Sequence, residues 1–265
     1  MLHPIRRWLV AAMVSLLPGV VLADPSADRA EPADAPANGE DAVLNLNVST
    51  SGYPPYLIHY DDGSYGGIVY DLVTRIAERL GYRVEPHEIP RKRLTSLMLE
   101  DHIDATPLAR EWAEDPERFL FTDPMVSIRE VFFTPADSDF RFEGLDELED
   151  ITLVTPLGYQ YPDLEPLFAN GTVERYQVSD DRDAFTYLLH GRGMDAVVAD
   201  LAVGQWIIRQ QGWQGEFRHS RKALSDHGYR LMLRPGWQSF AEAFNDELAK
   251  MKDNGELEAI RDRYR

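Results

Sequence analysis

No cysteine occurs anywhere in the 265 residues. That absence excludes disulfides, thiolate nucleophiles and Cys-based metal sites, and leaves the fold to be held by its core. Basic residues are scarce: 27 Lys and Arg stand against 45 Asp and Glu, a formal charge of −18. A field of that sign repels phosphate backbones and anionic lipid, so nucleic acid is excluded as a partner. It also means that an anionic ligand would need local Arg residues to overcome the field. The long apolar run lies at the N-terminus, and no second stretch is long enough to span a membrane. His59, His87, His102, His190, His219 and His227 show no HExxH or other metal-ligand spacing, and GxSxG, Walker A and dinucleotide fingerprints are missing. Neither a metal nor a cofactor is therefore expected. A scattered pair of carboxylates is the one catalytic arrangement that so acidic a chain can carry without a motif.

What is present begins with an address. Arg6 and Arg7 precede the apolar run 8–22, which is interrupted by Pro18-Gly19 and closed by Val21-Leu22-Ala23. This reads as a secretory signal peptide over 1–23, with export to the periplasm in a Gram-negative cell. Its removal would take the formal charge from −18 to −20, because two Arg and no acid leave with it. Residues 24–42 alternate Pro, Ala and acid with nothing apolar to bury, the signature of a disordered acidic leader.

Folding is expected from Val43, where Val43-Leu44-Asn45-Leu46-Asn47-Val48 alternates like a first strand. Ser49 to Tyr56 then forms a loop, since two prolines and a glycine exclude regular structure. Ile68, Leu72, Ile76 and Leu80 recur every four residues and predict a helix stopped by Gly81, with Asp71 answering the dipole in its first turn. A second helix over Leu94, Leu97 and Met98 leads into Ile103-Asp104-Ala105, read as the end of a parallel strand, since Pro107 would break a further helix. Ser179 is the predicted cap of a helix over 182–190, followed by the strand Met194 to Asp200. The plan of helix, short turn and strand thus appears twice, as Ile103-Asp104-Ala105 and Met194-Asp195-Ala196.

Ligands of open α/β sheets collect beyond strand ends. The stretch after Ala105 carries Arg110, Trp112 and Arg118; an Arg fork matches a carboxylate and an indole supplies an apolar wall, which suits a small organic acid or amino acid. The competing reading is a set of solvated arginines paired with Glu111, Glu114, Asp115 and Glu117. Tyr53 and Tyr56 stand in the Pro-rich loop after the first strand, and Tyr159 and Tyr161 in a second aromatic loop. Asp200 serves as ligand contact, as cap of the following helix, or as both. Arg93, at the start of its helix, reads as a surface residue.

Five pieces in order carry a likeness: GYPPY at 52–56, GGIVYDLVTRIAERLG at 66–81, RLTSLMLEDHIDA with FLFTDP downstream, LLHGRGMDAVVAD at 188–200, and HGYRLMLRPG leading into FNDELAKMKDNGELEAIRDRY. The chain resembles the type II periplasmic solute-binding proteins of family 3, which deliver amino acids to ABC importers. The resemblance implies a two-lobed α/β fold of the periplasmic-binding-protein type II class, with a ligand cleft between lobes joined by two crossings. Lobe 1 would hold 43–133 plus 228–265, lobe 2 would hold 134–227, and the crossings would fall near 134–140 and 219–226. It also implies a monomeric, non-enzymatic receptor whose partners are a small-molecule ligand and a membrane permease. Tyr53 and Tyr56 would sandwich the ligand, and Asp200 would take its amino group. Two departures stand out: the family's Thr-x-x-Arg segment has no match, with Arg110 too early and Arg118 too late, and Gly158-Tyr159-Gln160-Tyr161 replaces the second lobe's Gly-Thr anion nest. Rival readings are a dehydratase of this fold acting on prephenate-type acids and a sensory receptor feeding a membrane signalling protein.

Overall fold

The computed structural model describes residues 42–191 and 193–264. The signal peptide expected over 1–23 lies outside them, as does the leader apart from Ala42, which is buried and whose carbonyl accepts from the Arg83 N–H. The strands are β1 (Val43–Asn47), β2 (Ile58–His59), β3 (Tyr65–Gly66), β4 (Arg83–His87), β5 (Ala105–Ala109), β6 (Leu120–Phe121), β7 (Val126–Pro135), β8 (Ile151–Pro156), β9 (Val173–Val178), β10 (Ala196–Asp200), β11 (Phe217–His219) and β12 (Ser225–Leu233). The helices are α1 (Ile68–Arg79), α2 (Arg91–Leu99), α3 (Glu165–Ala169), α4 (Asp181–His190), α5 (Leu201–Gln210), α6 (Gln238–Asp253) and α7 (Glu256–Asp262). One mixed sheet runs β4-β1-β5-β12-β7-β10-β8-β9, with β11 added to β7 and β6 to β12, while β2 and β3 pair apart from it.

Two long strands join the halves of this sheet. β7 pairs with β12 from Val126 to Glu130 and with β10 from Glu130 to Phe133, so Glu130 is where it changes partners. β12 pairs in turn with β5 from Tyr229 to Leu233. The first half is built on the parallel pair β1 and β4, the second on the parallel strands β10, β8 and β9. In each half the repeated acid does the same structural job. Asp104 accepts from the Asn45 N–H at 2.9 Å while its own N–H donates to the Asn45 carbonyl; Asp195 accepts from the Thr152 N–H at 2.8 Å and returns a bond to the Thr152 carbonyl. Each carboxylate thereby fastens the turn after a helix to the neighbouring strand.

Two sequence expectations need correction. β5 begins at Ala105, where the strand was expected to end, and runs through Pro107. Its register with β1 involves Leu46 and Ala105 only, so no β1 carbonyl requires an N–H from Pro107, and the proline costs the ladder nothing there. The cap of α4 is Asp180, whose Oδ1 accepts from the Asp183 N–H at 2.8 Å, and not Ser179. α1, as expected, buries Leu72, Val73, Ile76 and Ala77. Its first N–H groups need partners that no capping side chain supplies. They take them from the tyrosine loop: Ile68 donates to the Pro55 carbonyl, and Val69 and Tyr70 to that of Tyr56. The approach is so close that a Cβ on Gly67, at φ +111°, would lie 2.5 Å from the Tyr56 carbonyl oxygen. Helix and loop are therefore locked together, which fixes where Tyr53 and Tyr56 stand.

Candidate functional site

A cavity of about 90 Å³ opens between the two halves of the sheet. The first half contributes Asn47 at the end of β1, Tyr53 from the locked loop, Arg91 at the start of α2, Thr106 from β5 and Trp112 beyond it. The second half contributes Tyr159, Tyr161, Asp181 at the start of α4 and Asp200 at the end of β10, and the joining strands add Glu130 and Tyr229. Tyrosines form much of the wall: the ring of Tyr53 lies 5.7 Å from Tyr56, 6.0 Å from Tyr229 and 6.4 Å from Tyr159, and Trp112 lies 6.2 Å from Tyr229. Burial, reinforced by Asp200, pushes the phenols of Tyr53 and Tyr56 well above their ordinary range, so both remain protonated.

Three carboxyl groups face this aromatic wall. Asp200 is buried and fully engaged: its Oδ1 accepts from the N–H groups of Ala202 (2.9 Å) and Val203 (3.1 Å) and from the Tyr56 hydroxyl (3.0 Å), and its Oδ2 accepts from the Arg129 N–H (2.9 Å). It is thus the cap of α5 and, through Tyr56, a bond between the halves. Burial raises its pKa despite those four donors. Burial likewise lifts Glu130 from 4.5 to about 7, opposed by the Ser225 hydroxyl that donates to its Oε2 and reinforced by Asp200 and Asp181. Asp181 rises from 3.8 to about 7 by the same cause, opposed by the Tyr159 hydroxyl donating to its Oδ2 at 3.0 Å. Against these acids stands one cation of the cavity wall, Arg91, whose pKa burial lowers and whose Nη2 donates to the Trp112 carbonyl at 2.6 Å.

The residues singled out in the sequence divide accordingly. Tyr53, Trp112, Tyr159, Tyr161 and Asp200 line the cavity, and Tyr56 backs it through Tyr53 and Asp200. Tyr161 has its hydroxyl directed to the Val198 carbonyl at 3.3 Å and packs into the core of the second half. Arg110 and Arg118 stand elsewhere, against the expectation that one of them meets a ligand. Arg110, 40% exposed, pairs with Glu117 at 2.6 Å and lies over Phe121; Arg118, 55% exposed, faces Asp115 at 4.0 Å. Arg110 follows the end of β5 directly, and Trp112, two residues on, lines the cavity while the Arg110 side chain does not. Arg91, Glu130, Asp181 and Tyr229 were not singled out. Glu130 had a signal, an acid heading the apolar run Val131-Phe132-Phe133, whereas Asp181 looked like a dipole partner of its helix. Among the described residues no cluster of His, Asp and Glu is arranged to hold a metal ion.

Residues 46–265 match the profile of the bacterial extracellular solute-binding proteins, family 3. The chain belongs to that family. It is 20% identical over 262 residues to a probable histidine-binding protein of Neisseria gonorrhoeae, covering 98% of this chain and 95% of the relative. It is 21% identical to the arginine-binding extracellular protein ArtP of Bacillus subtilis, covering 98% of both. An ancestral arginine-binding protein solved with arginine superposes with a TM-score of 0.72 at 21% identity, over 85% of this chain and 99% of the other. At that identity the superposition shows the fold, and the fold is the mixed α/β one of type II periplasmic binding proteins.

Proposed function

We propose that this solute-binding protein is an exported receptor that closes the two halves of its sheet around an amino acid and presents it to the membrane permease of an ABC importer. The observation that carries the reading is the polarity of the cavity: Glu130, Asp181 and Asp200 on one side and Arg91 on the other, across an aromatic wall. A zwitterion of amino-acid size satisfies both poles, and a neutral solute satisfies neither. The signal peptide expected over 1–23 supports an extracytoplasmic location. The Tyr56–Asp200 bond spans the halves, and Glu130 with Ser225 sits where β7 and β12 part, so opening would pivot there with each half keeping its share of the ligand contacts. The test is a melting screen of the mature protein against the amino acids, polyamines, small dicarboxylates and aromatic acids. A ligand at 100 times its Kd adds about 2.7 kcal/mol to stability, or roughly 5–10 °C for a domain of this size. No shift with any amino acid would overturn the reading.

One observation favours a second reading, a dehydratase acting on a prephenate-type acid. A carboxyl buried in the wall of an aromatic cavity and raised to about 7, as Glu130 is, has the properties of a general acid. Release of an aromatic product from such a substrate, abolished in Glu130→Gln, would support it over simple binding.

A further inference from the structure

Two polar groups on one wall of the cavity are left without the partners that burial demands. Arg91 is the first residue of α2, and its guanidinium has a single hydrogen bond, to the Trp112 carbonyl at 2.6 Å. Among the described residues no carboxylate lies within ion-pairing distance of it, and the charge of Glu114 only tempers the effect of burial. The same Trp112 carries a buried indole N–H with no acceptor. A half-buried cation with no paired counter-charge is costly, and so is a buried orphan donor. Elsewhere the fold avoids this: Arg234, the buried arginine of the core, meets Asp104 at 2.8 Å and Asp101 at 3.0 Å. Arg91 and Trp112 line the cavity, so the missing acceptor has a place to sit.

We propose that Arg91 and the indole N–H of Trp112 together anchor a carboxylate of the bound solute, replacing the arginine that the family's Thr-x-x-Arg segment would supply. The proposal rests on the receptor reading above. It fixes the ligand's orientation, with the carboxylate against the start of α2 and the positive group toward Glu130, Asp181 and Asp200. It also explains how Arg110 and Arg118 can both face solvent in a receptor for an acid. The tie from Arg91 to the Trp112 carbonyl holds the guanidinium in register with the indole, which leaves its remaining N–H groups for the ligand.

The experiment compares wild type with Arg91→Met, Trp112→Phe and the solvent-facing control Arg110→Met. Titration calorimetry uses L-arginine, L-histidine and their carboxamides. For a probe that binds wild type, Arg91→Met should weaken binding by about 100-fold, Trp112→Phe by about 10-fold, and Arg110→Met not measurably. The carboxamide should bind wild type as weakly as the acid binds Arg91→Met, with little further loss when both changes are combined. The ligand-free Arg91→Met protein should melt at or above the wild-type temperature, because it no longer buries an unpaired charge. Binding by Arg91→Met within threefold of wild type, equal binding of acid and carboxamide, or a ligand-free melting temperature several degrees lower would each overturn the anchor. If neither amino acid binds wild type, those two probes count against the receptor reading, while the anchor is decided separately by acetate. At matched ionic strength acetate should raise the melting temperature of wild type and not of Arg91→Met, and an equal effect on both refutes the assignment.

Discussion

Replacing Glu130 by Gln should stabilise the protein above neutral pH and leave it unchanged in acid. The side chain is 4% exposed, its Oε2 accepts from Ser225, and Asp200, Asp181 and Asp163 all act on it with like charge. Its pKa rises from 4.5 to about 7, which at 1.36 kcal/mol per pH unit amounts to about 3 kcal/mol between the two protonation states. The folded pKa lies above the unfolded one, so between about pH 4.5 and 7 the folded protein keeps a proton that the unfolded chain has released. The favourable contribution is full below pH 4.5 and is lost as the pH rises through 7. Gln keeps the shape and a group able to meet Ser225 but does not titrate. Urea unfolding at pH 4.5 should then give nearly equal stabilities, whereas at pH 8 the variant should exceed wild type by up to about 3 kcal/mol, or roughly 6–12 °C in a melt. That figure is an upper one, because parting the halves rehydrates the carboxylate without unfolding anything. Acids that do not interact with Glu130 titrate alike in both proteins and cancel in the difference, and the repulsion from Asp200, Asp163 and Asp181 is already part of its shift. A difference that is the same at pH 4.5 and pH 8 would refute the account, since only a titrating, desolvated carboxyl makes the gap grow with pH.

Asp200→Ala should destabilise the fold by about 2–4 kcal/mol, because it orphans the Ala202, Val203 and Arg129 N–H groups and the Tyr56 hydroxyl. Asp200→Asn, which keeps an acceptor for the cap, should cost less, and equal denaturation midpoints for wild type and the Ala variant would contradict the role in capping. Gly204→Ala in α5 should also destabilise, by about 2 kcal/mol, although Ala favours helix by about 1 kcal/mol over Gly. The added Cβ runs into the ring of Phe133, which is 1% exposed and hemmed by Phe185 at 5.0 Å, so a thermal melt showing stabilisation would mean that the ring has room to yield.

The elements that sequence reasoning found and those it missed differ in how locally their cause is written. α1 shows its buried face at four-residue intervals, and the paired Ile103-Asp104-Ala105 and Met194-Asp195-Ala196 segments mark equivalent turns in both halves, where each acid binds the adjoining strand. β9 went unseen because it is the last strand of the sheet: Val173 and Val178 are buried and most of the residues between them face water, so no apolar run announces it. In the site, aromatics in Pro- and Gly-rich loops at strand ends were legible, as were the two possible roles of Asp200, one of which, the helix cap, the structure displays. The charged groups were not, because their importance comes from desolvation. Arg91 and Arg93 show why. Both open the same helix, two residues apart and therefore about 200° around its axis. One lines the cavity while the other is exposed, and the difference arises only when α2 packs Leu94 and Met98 against β5 and β12 and thereby turns Arg91 toward Trp112. An arginine assigned to the ligand from spacing alone falls on the solvent-facing loop, whereas one assigned by asking which cation of the cavity wall has no ion-pair partner falls on Arg91.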